Sequence, residues 1–552
     1  MERPDHVSNY NQKERPMRGR MMETPLLISS LIEHAGRVHA GQEIVTRTVE
    51  GPIHRSTWGE VRDRSKQLAG VLAAYGIAEG DRLATLAWNT HRHLEVYFGV
   101  SGMGAVCHTL NPRLHPTQLV YIINHAEDRI LFVDLTFVPI VEAIASSLTS
   151  IERYVILTDA ANMPETTLPG ATAYEDFVGD RDGAFEWPEL DENAAAVLCY
   201  TSGTTGNPKG VLYSNRSTVL HAYAVCFPDV FGLRASTVCL PIVPMFHACA
   251  WGIPFGAAAA GTRLVMPGPR MDPEGVTELL AGESVTMSAA VPSVFMGLVQ
   301  HWRDTGAKPE SLKGVLMGGA AAPESLIATL EGEFDIEFRH GWGLTETSPL
   351  ASVNALSSEH RRLPVEERAA SLTKQGRPPF GIELRIVDED GAILPHDGVA
   401  FGELQARGPW VIDGYFQSDE HKLTADGWFP TGDVATVDEQ STVQITDRTK
   451  DLIKSGGEWI SSIDVENTAM GHPDIAMAAV IGVPDPKWGE RPLMIAVPVP
   501  DRTPSPESVI EFLSRTLAKW QLPDDVIFVD ALPMGGTGKV QKTKLREEYG
   551  GG

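Results

Sequence analysis

The most informative shortage in this 552-residue sequence is that of cysteine. It has five cysteines, an odd number, and no two of them follow the C-x-x-C spacing. This pattern argues against a disulfide framework and against a zinc knuckle. Buried free thiols in a reducing compartment are the simpler interpretation. The five are Cys107, Cys199, Cys226, Cys239 and Cys249.

Positive charge is also scarce. Lysine and arginine total 46 against 72 acidic residues, which gives a net charge of -26. Such a balance argues against nucleic acid or an anionic membrane as the main partner. An anionic substrate would therefore need lysine and arginine placed locally around its site.

Long apolar runs that could act as a signal or a membrane span are lacking. The first 25 residues are polar and do not resemble a secretory signal, and methionines at positions 17, 21 and 22 leave the true start open. Residues 239–261 carry no charge, but prolines at 241, 244 and 254 interrupt them as a continuous helix. We expect a buried strand-turn-helix beside an apolar cavity there, no integral membrane segment, and a cytoplasmic location.

What the chain does have is an alternation of helical and strand patterns. Val61, Leu68, Leu72 and Tyr75 recur at helical spacing and Gly76 follows as a stop. "DRLATLAW", "RILFVD" and "ERYVILTD" read as buried strands between helices such as "HLEVYFGVSGMGAV" and "VPIVEAIASSL". Alternation of this kind predicts a layered α/β body with mostly parallel strands.

The length exceeds what one hydrophobic core supports, so two or more domains are expected. The predicted fold class is α/β, with a large layered N-terminal domain over 23–449 and a smaller, mobile α+β C-terminal lid domain over 450–552. Short strands with Gly and Pro turns predict a small β-barrel-like subdomain at about 376–447. Residues 1–22 are expected to be a disordered extension.

The stretch "TSGTTGNPKG", residues 201–210, is the strongest local signal. Gly, Ser and Thr let backbone N–H groups and hydroxyls converge on an anion, and Lys209 adds charge. The pattern G-x-x-x-x-G-K-[ST] does not fit, because this lysine precedes glycine. The following "GVLYSN" is too short and too β-prone to open a helix, so the loop should join two strands. A flexible linker is the alternative.

This stretch, extended to "YTSGTTGNPKGV", closely resembles the phosphate loop of the adenylate-forming superfamily of acyl-CoA synthetases, adenylation domains and firefly luciferase. Other motifs of the superfamily follow in order: "GWGLTET" (341–347), "WFPTGD" (428–433), "DRTKDLIKSGGEWIS" (447–461) and "GGTGKVQK" (535–542). The resemblance covers nearly the whole chain after residue 23. Within the superfamily, residues 111–134 and "PMFHACAWG" (244–252) are most similar to medium-chain fatty acyl-CoA ligases and 3-methylmercaptopropionate-CoA ligases.

The resemblance implies a two-step reaction. A carboxylate attacks the α-phosphate of ATP and releases pyrophosphate, and the thiol of CoA then opens the acyl-adenylate. The implied cofactor is Mg²⁺, with ATP and CoA as substrates. The expected partners are these small molecules and the acid, without nucleic acid, and a homodimer is a further expectation.

The resemblance also implies roles for individual residues. Lys539 would bridge the carboxylate and the α-phosphate, and Thr345 and Glu346 would complete the catalytic set, with Thr201 and Glu346 on the metal. Trp342 would stack on adenine, while Asp433 and Arg448 would bind ribose. The full set implied for ATP and AMP is Thr201, Ser202, Gly203, Thr204, Thr205, Lys209, Gly319, Ala320, Trp342, Gly343, Thr345, Asp433, Arg448 and Lys539. Taken singly, Lys539 could be an exposed lysine, Asp433 and Arg448 a surface ion pair, and the glycines helix-packing positions.

The acyl pocket, hinge and CoA tunnel are implied in the same way. The residues that would line the acyl pocket are His247, Trp251, Gly318 and Gly343. Trp251 would fill volume that a long acyl chain needs, so a short- or medium-chain acid is favoured. His247 and Trp251 could instead be core residues. Lys450 would be the hinge about which the C-terminal domain swings. The implied tunnel residues are Ser455, Gly456, Gly457, Glu458 and Trp459.

Other classes of function remain as alternatives. A hydrolase would need a nucleophile, yet no G-x-S-x-G occurs in the sequence. A non-catalytic nucleotide-binding regulator could dispense with Lys539, which is retained. Another adenylate-forming enzyme with a different acceptor also stays open, although no aspartate for a substrate ammonium stands in "PMFHACAW". We expect no carrier domain.

Overall fold

The computed structural model describes residues 19–179, 184–201, 207–456, 458–535 and 539–550. The helices are α1 (Ile28–Val38), α2 (Trp58–Tyr75), α3 (His91–Gly102), α4 (Pro116–Ala126), α5 (Val138–Ile144), α6 (Tyr174–Val178), α7 (Asn215–Val225), α8 (Ala248–Trp251), α9 (Ile253–Ala260), α10 (Pro273–Gly282), α11 (Pro292–Thr305), α12 (Glu324–Gly332), α13 (Val365–Leu372), α14 (Ser462–Ala469), α15 (Pro506–Leu513) and α16 (Lys542–Tyr549).

The strands are β1 (Glu43–Arg47), β2 (Ile53–Thr57), β3 (Arg82–Leu86), β4 (Val106–Thr109), β5 (Ile130–Val133), β6 (Arg153–Ile156), β7 (Thr172–Ala173), β8 (Ala195–Thr201), β9 (Lys209–Ser214), β10 (Val238–Pro241), β11 (Arg263–Met266), β12 (Met287–Ala290), β13 (Gly314–Met317), β14 (Glu337–Trp342), β15 (Ser352–Asn354), β16 (Glu383–Val387), β17 (Phe401–Arg407), β18 (Phe429–Val437), β19 (Val443–Arg448), β20 (Ile453–Ser455), β21 (Glu458–Ile460), β22 (Ile475–Asp485), β23 (Gly489–Pro498) and β24 (Asp525–Phe528).

Two large sheets form the body of the protein. One has the order β7-β6-β5-β3-β4-β8-β9 and the other β15-β14-β13-β12-β10-β11-β1-β2. Within them, only the β8–β9, β1–β2 and β14–β15 pairs of the described residues are antiparallel. One apolar cluster includes Trp58, Phe98 and Phe255 together with residues from both sheets, so the sheets and the helices between them share a core. The predicted α/β class with mostly parallel strands is confirmed.

Two smaller sheets follow in the chain. The strands β16-β17-β18-β19 form an antiparallel sheet, in the region where a β subdomain was expected. After Arg448 the chain enters a separate sheet, β21-β20-β23-β22, with β24 paired to β23. Helices α14, α15 and α16 accompany this last sheet, which gives the C-terminal part its α+β character.

Helix α2 shows why local signals in this sequence are reliable. The Thr57 hydroxyl accepts a hydrogen bond from Glu60 N–H, which caps the first turn, and Gly76 ends the helix in the left-handed conformation at φ +91°.

The helix predicted over "HLEVYFGVSGMGAV" is wrong at its end. It stops at Gly102, because Gly104 is left-handed at φ +95° and Val106 pairs with Arg82 of β3 in the parallel sheet.

The strand-turn-helix expected over the uncharged stretch 239–261 is confirmed, and the apolar cavity beside it stays a prediction. The stretch contains the end of β10, a turn, and helices α8 and α9, so its apolar side chains are used in the core of the α/β body. None of the helices that the described residues form has the length and apolar character needed to cross a bilayer.

Candidate active site

The site lies at the carboxyl edge of the larger sheet. Strands β13 and β14 are parallel neighbours, so the segments that leave their carboxyl ends emerge side by side. Gly318, Gly319 and Ala320 follow β13, and Gly343 and Thr345 follow the last residue of β14, Trp342. Open α/β sheets bind ligands at this edge. The structure thus brings together motifs that lie more than twenty residues apart in the sequence.

Two of the predicted site glycines have no room for a side chain. A β-carbon on Gly343 would lie 1.3 Å from the carbonyl oxygen of Pro349. One on Gly318 would lie 2.8 Å from the carbonyl oxygen of Gly341 and 3.5 Å from Cη2 of Trp251. The neighbours of Gly318 are therefore the backbone of β14 and an indole ring, and the close approach requires glycine.

The phosphate-loop motif joins two strands. Strands β8 and β9 pair antiparallel with Thr201 opposite Lys209, which confirms the predicted strand-loop-strand arrangement. Ser202, Gly203, Thr204 and Thr205 lie outside the described residues. The Lys209 ammonium stands 4.9 Å from the centre of the Tyr415 ring, close enough for a cation–π contact.

Two tyrosines brace the "TET" turn, and the sequence patterns did not single out either. The Tyr415 hydroxyl donates to Glu346 Oε1 at 2.8 Å, and the Tyr213 hydroxyl donates to the carbonyl oxygen of Thr345 at 2.6 Å. Burial raises the pKa of Tyr415, and the neighbouring Glu346 raises it further, so this hydroxyl remains a donor. Tyr213 lies on β9, directly after the phosphate loop, so the two loops are tied together.

Asp433 is buried between an indole and a guanidinium. Trp342 Nε1 donates to Asp433 Oδ2 at 3.0 Å, and Arg448 Nε lies 2.6 Å from Asp433 Oδ1. Asp433 and Arg448 are direct cross-strand partners on β18 and β19. Burial raises the pKa of Asp433, while Arg448 and the bond from Trp342 oppose the rise. Each carboxylate oxygen keeps a further lone pair that can accept a ligand hydroxyl.

Lys539 enters this site from the C-terminal part of the chain. A β-carbon on Gly319, which adopts φ +81°, would lie 3.7 Å from Lys539 Cε. Burial lowers the pKa of Lys539 to about 8, and Arg448 lowers it further, whereas Asp433 and Glu346 act in the opposite direction. Val540, the residue after Lys539, forms an antiparallel bridge with Met534. Lys539 therefore stands among residues from β13, the "TET" turn and the β18–β19 pair.

The apolar end of the site is a strained turn. Ala248, Cys249, Ala250 and Trp251 all have positive φ, between 42° and 55°. Left-handed helical backbone costs L-residues about 1–2 kcal/mol each, so the surroundings must hold this turn in place. Trp251 is buried with its ring tip toward Gly318. Burial lowers the pKa of His247 to about 4, with Lys539 adding repulsion, so His247 is neutral at pH 7.

The predicted hinge and CoA-tunnel residues lie in the C-terminal part. Lys450 is exposed and follows β19, and Thr449 N–H bonds to the Gly432 carbonyl just before it. In the hairpin of β20 and β21, Ser455 Oγ accepts from Arg491, Gly456 packs under Trp488 at φ +62°, and Lys454 lies over Trp459. Glu458 is exposed, and Gly457 lies outside the described residues. The contacts of Lys454, Ser455 and Gly456 are all with other residues of the C-terminal part.

The donors near the "TET" turn suit a magnesium ion. Glu346 presents a carboxylate whose Oε1 is engaged by Tyr415, and Thr201 has a hydroxyl. Such oxygen donors match a hard cation, and Mg²⁺ usually takes one or two carboxylates and completes its shell with phosphates and water. Across the described ranges no group of three or more His, Cys, Asp or Glu could hold a metal. The residues fit an ion shared with a nucleotide.

Comparison with known proteins identifies sequence matches over most of the chain. Residues 32–416 match the family model described as "AMP-binding enzyme", and residues 464–539 match "AMP-binding enzyme C-terminal domain". Together these two segments contain Gly318, Glu346, Trp342 and Lys539.

Individual proteins are similar over nearly the full length. The 3-methylmercaptopropionyl-CoA ligase of Ruegeria lacuscaerulensis is 51% identical, covering 97% of this chain and 99% of that protein. The medium-chain-fatty-acid–CoA ligase of Ectopseudomonas oleovorans is 47% identical, covering 97% and 98%. The crystal structure of ATP-bound MatB from Rhodopseudomonas palustris superimposes with a TM-score of 0.79 at 25% identity, covering 95% of this chain and 99% of that chain.

Proposed function

The chain belongs to the family of AMP-binding enzymes, and on that basis we propose that it is an AMP-forming acyl-CoA ligase. It would activate a short- or medium-chain carboxylic acid with ATP and transfer the acyl group to CoA. The observation that carries the proposal is the position of Lys539, whose Cε stands against Gly319 and whose ammonium is influenced by Glu346 and Asp433.

In the first half-reaction a carboxylate oxygen of the acid forms a bond to the α-phosphorus of ATP. The bond from that phosphorus to the bridging oxygen of the β-phosphate breaks, and pyrophosphate leaves. The ammonium of Lys539 would stabilise the negative charge on both partners, an effect that is large in a site shielded from water. Thr345, held by Tyr213, would donate to the α-phosphate. Mg²⁺ held by Glu346 and Thr201 would neutralise phosphate charge.

The nucleoside would lie between the carboxyl edge of β14 and the β18–β19 pair. The flat indole of Trp342 is available for stacking on adenine, because its N–H is already engaged by Asp433. Asp433 and Arg448 would take the ribose hydroxyls, and Gly343 and Ala320 would lie beside the nucleotide as the resemblance implies. The Asp433 carboxylate is buried and the Arg448 side chain is 37% exposed, so the aspartate half of the pair is shielded from solvent, which supports a binding role over a fully solvent-exposed pair.

The nature of the acid is inferred from the strained turn. Trp251 and Gly318 would close the acyl pocket, and the neutral His247 would line it without demanding a charged substrate. A short chain fits such a pocket best, so 3-methylmercaptopropionate or a medium-chain fatty acid is the proposed substrate. The names of the two similar ligases support this choice.

In the second half-reaction the CoA thiolate attacks the acyl carbonyl carbon, and the bond from that carbon to the phosphate oxygen breaks with release of AMP. The described arrangement has Lys539 in the site, which suits adenylation. Rotation about Lys450 would replace Lys539 with the hairpin of Ser455, Gly456, Glu458 and Trp459, where Gly456 would allow a narrow passage for pantetheine. Gly457 would belong to the same passage. Such a swing agrees with hinges at the ends of structural elements.

The test is a panel of carboxylic acids incubated with ATP, Mg²⁺ and CoA. Pyrophosphate release identifies the acids that are activated, and mass spectrometry identifies the acyl-CoA. We expect stoichiometric AMP and acyl-CoA with a short or medium acid. Stoichiometric ADP and orthophosphate would contradict the proposal, and an acyl product formed on an amine in place of CoA would favour the alternative of a different acceptor.

A further inference from the structure

The buried side-chain amide of Asn89 forms hydrogen bonds with residues 241–245, the segment just before His247 of the proposed acyl pocket. Asn89 lies between β3 and α3 and is 1% exposed. Its Nδ2 donates to the carbonyl oxygens of Pro241 at 2.9 Å and Val243 at 3.0 Å. Its Oδ1 accepts from Met245 N–H at 2.6 Å. Both amide hydrogens and the amide oxygen thus bond to alternate residues of one short segment.

A second buried side chain holds the same segment from the next helix. The Tyr97 hydroxyl, on α3, donates to the carbonyl oxygen of Met245. The Tyr97 ring is fully buried and stacks on Phe255 of α9 with a centroid distance of 5.9 Å. Both the backbone N–H and the carbonyl of Met245 are therefore hydrogen-bonded to side chains from the segment that contains β3 and α3.

The segment needs these side chains because it has left its own sheet. Strand β10 ends at Pro241, and Ile242 and Val243 both direct their N–H groups to the single carbonyl of Ala289. A buried backbone without ladder partners must find others. Asn89 and Tyr97 supply them, and they do so across the boundary between the two large sheets.

The residues that follow this segment are the proposed walls of the acyl pocket. His247 comes two residues after Met245, and its N–H bonds to the Pro244 carbonyl at 3.0 Å. The left-handed turn through Trp251 begins at the next residue. Strained backbone persists only where its surroundings over-determine it. A shift of Met245 would consequently move both His247 and Trp251.

We propose that Asn89 and Tyr97 are positioning residues that set the dimensions of the acyl pocket. They act through the backbone of Pro241, Val243 and Met245, and neither needs to touch the acid. The inference rests on the proposed function, because it takes His247 and Trp251 as pocket walls. It assigns selectivity for the acid partly to the loop after β3 and to helix α3.

The test compares Tyr97→Phe with wild type across straight-chain acids of increasing length. The variant keeps the ring and loses one donor. We expect the KM for the acid to rise about fivefold, because a shifted Met245 displaces the pocket walls, with the preferred chain length shifted and the KM for ATP within about twofold. Asn89→Asp, which replaces the donor to two carbonyls by an acceptor, should show the same pattern more strongly. Thermal unfolding of each variant reports on folding.

Tyr174→Phe is the matched control. Tyr174 is equally buried, and its hydroxyl donates at 2.8 Å to Oε2 of Glu95 on α3, not to the segment 241–247. Its loss should lower the unfolding temperature without changing the KM for the acid or the chain-length profile. If Tyr97→Phe behaved in the same way, the inference would be overturned. It would also be overturned if the effects of Tyr97→Phe and Trp251→Ala on the chain-length profile were simply additive.

The two proposals fail in different ways. If wild-type protein forms no acyl-CoA with any acid, the proposed function is contradicted. If wild type is active and Tyr97→Phe and Asn89→Asp remain folded with an unchanged profile, the positioning role alone is contradicted. If Asn89→Asp does not fold, the result with Tyr97→Phe decides.

Discussion

The indole N–H of Trp342 donates to the carboxylate of Asp433 at 3.0 Å, although 91 residues separate them in the chain. This bond links the end of β14 to the antiparallel sheet that carries the proposed ribose-binding pair. It fixes the edge of the indole, so the ring face is presented in one orientation. The proposed adenine and ribose contacts are therefore mechanically coupled.

Trp342→Phe should separate stacking from this bond. The variant keeps a flat aromatic face but cannot donate, which leaves Asp433 with one fewer partner. Without that donor the ring and the carboxylate are no longer held for the nucleotide, so the KM for ATP should rise about tenfold, which corresponds to about 1.4 kcal/mol of binding free energy. Trp302→Phe is the control, because Trp302 Nε1 donates to Thr277 elsewhere in the fold. Equal KM values for ATP in wild type and Trp342→Phe would rule out the coupling.

Lys539→Ala should distinguish the two half-reactions. Loss of the ammonium should slow adenylation about 10²- to 10³-fold, as for removal of one transition-state contact. Chemically synthesised acyl-adenylate and CoA should still react at a rate near wild type. The exposed Lys544, on α16, offers the control Lys544→Ala, which should leave both rates unchanged. Equal loss of both half-reactions in folded Lys539→Ala would contradict separate roles.

The pH dependence of adenylation should report on Lys539. Its pKa in the free enzyme is about 8, below the ordinary 10.5, so the ammonium is present below pH 8 and is lost above it. The kcat/KM of adenylation should therefore be steady at neutral pH and fall as the pH rises through about 8. Lys539→Arg stays charged over this range, and its profile should lack the fall. An alkaline fall that persists in Lys539→Arg would assign it to another group.

Trp251→Ala should move selectivity toward longer acids. The indole tip lies against Gly318, so its removal opens volume that added methylene groups can fill. Each buried methylene is worth about 0.8 kcal/mol, which corresponds to roughly a fourfold gain in kcat/KM per carbon until the space is full. Trp251→Phe should give a smaller shift in the same direction. A chain-length profile like that of wild type would show that Trp251 is a core residue only.

Lys450→Pro should impair the thioester-forming step and largely spare adenylation. Proline fixes its own φ and restricts the residue before it, so the rotation proposed at this position would be hindered. The arrangement with Lys539 in the site should still form. Lys450→Ala keeps backbone freedom and should behave like wild type, because the side chain is exposed. Stopped-flow measurement of each half-reaction would show which step changes, and loss of adenylation alone would contradict the hinge assignment.

Local signals in the sequence predicted much of the fold correctly. Three correct predictions depend on neighbours within a few residues. They are the cap and the stop of α2, the strand-loop-strand arrangement around Lys209, and the breaks that keep residues 239–261 from forming one continuous helix. The incorrect end of α3 had a local cause, the left-handed Gly104, and a non-local one, the pairing of Val106 with β3. The domain boundary near residue 450 remains a prediction.

By itself, the sequence determined the motifs, their order and the chemistry that their residue types can perform, because glycines, a lysine and carboxylates act through properties they carry anywhere. The tertiary structure decided which of them meet. Lys539 reaches Gly319 across more than two hundred residues, Tyr415 braces Glu346, and Asn89 and Tyr97 hold Met245 from another sheet. These contacts depend on how sheets and loops pack, and hydrophobic periodicity along the chain carries no information about the partner of a single buried polar group.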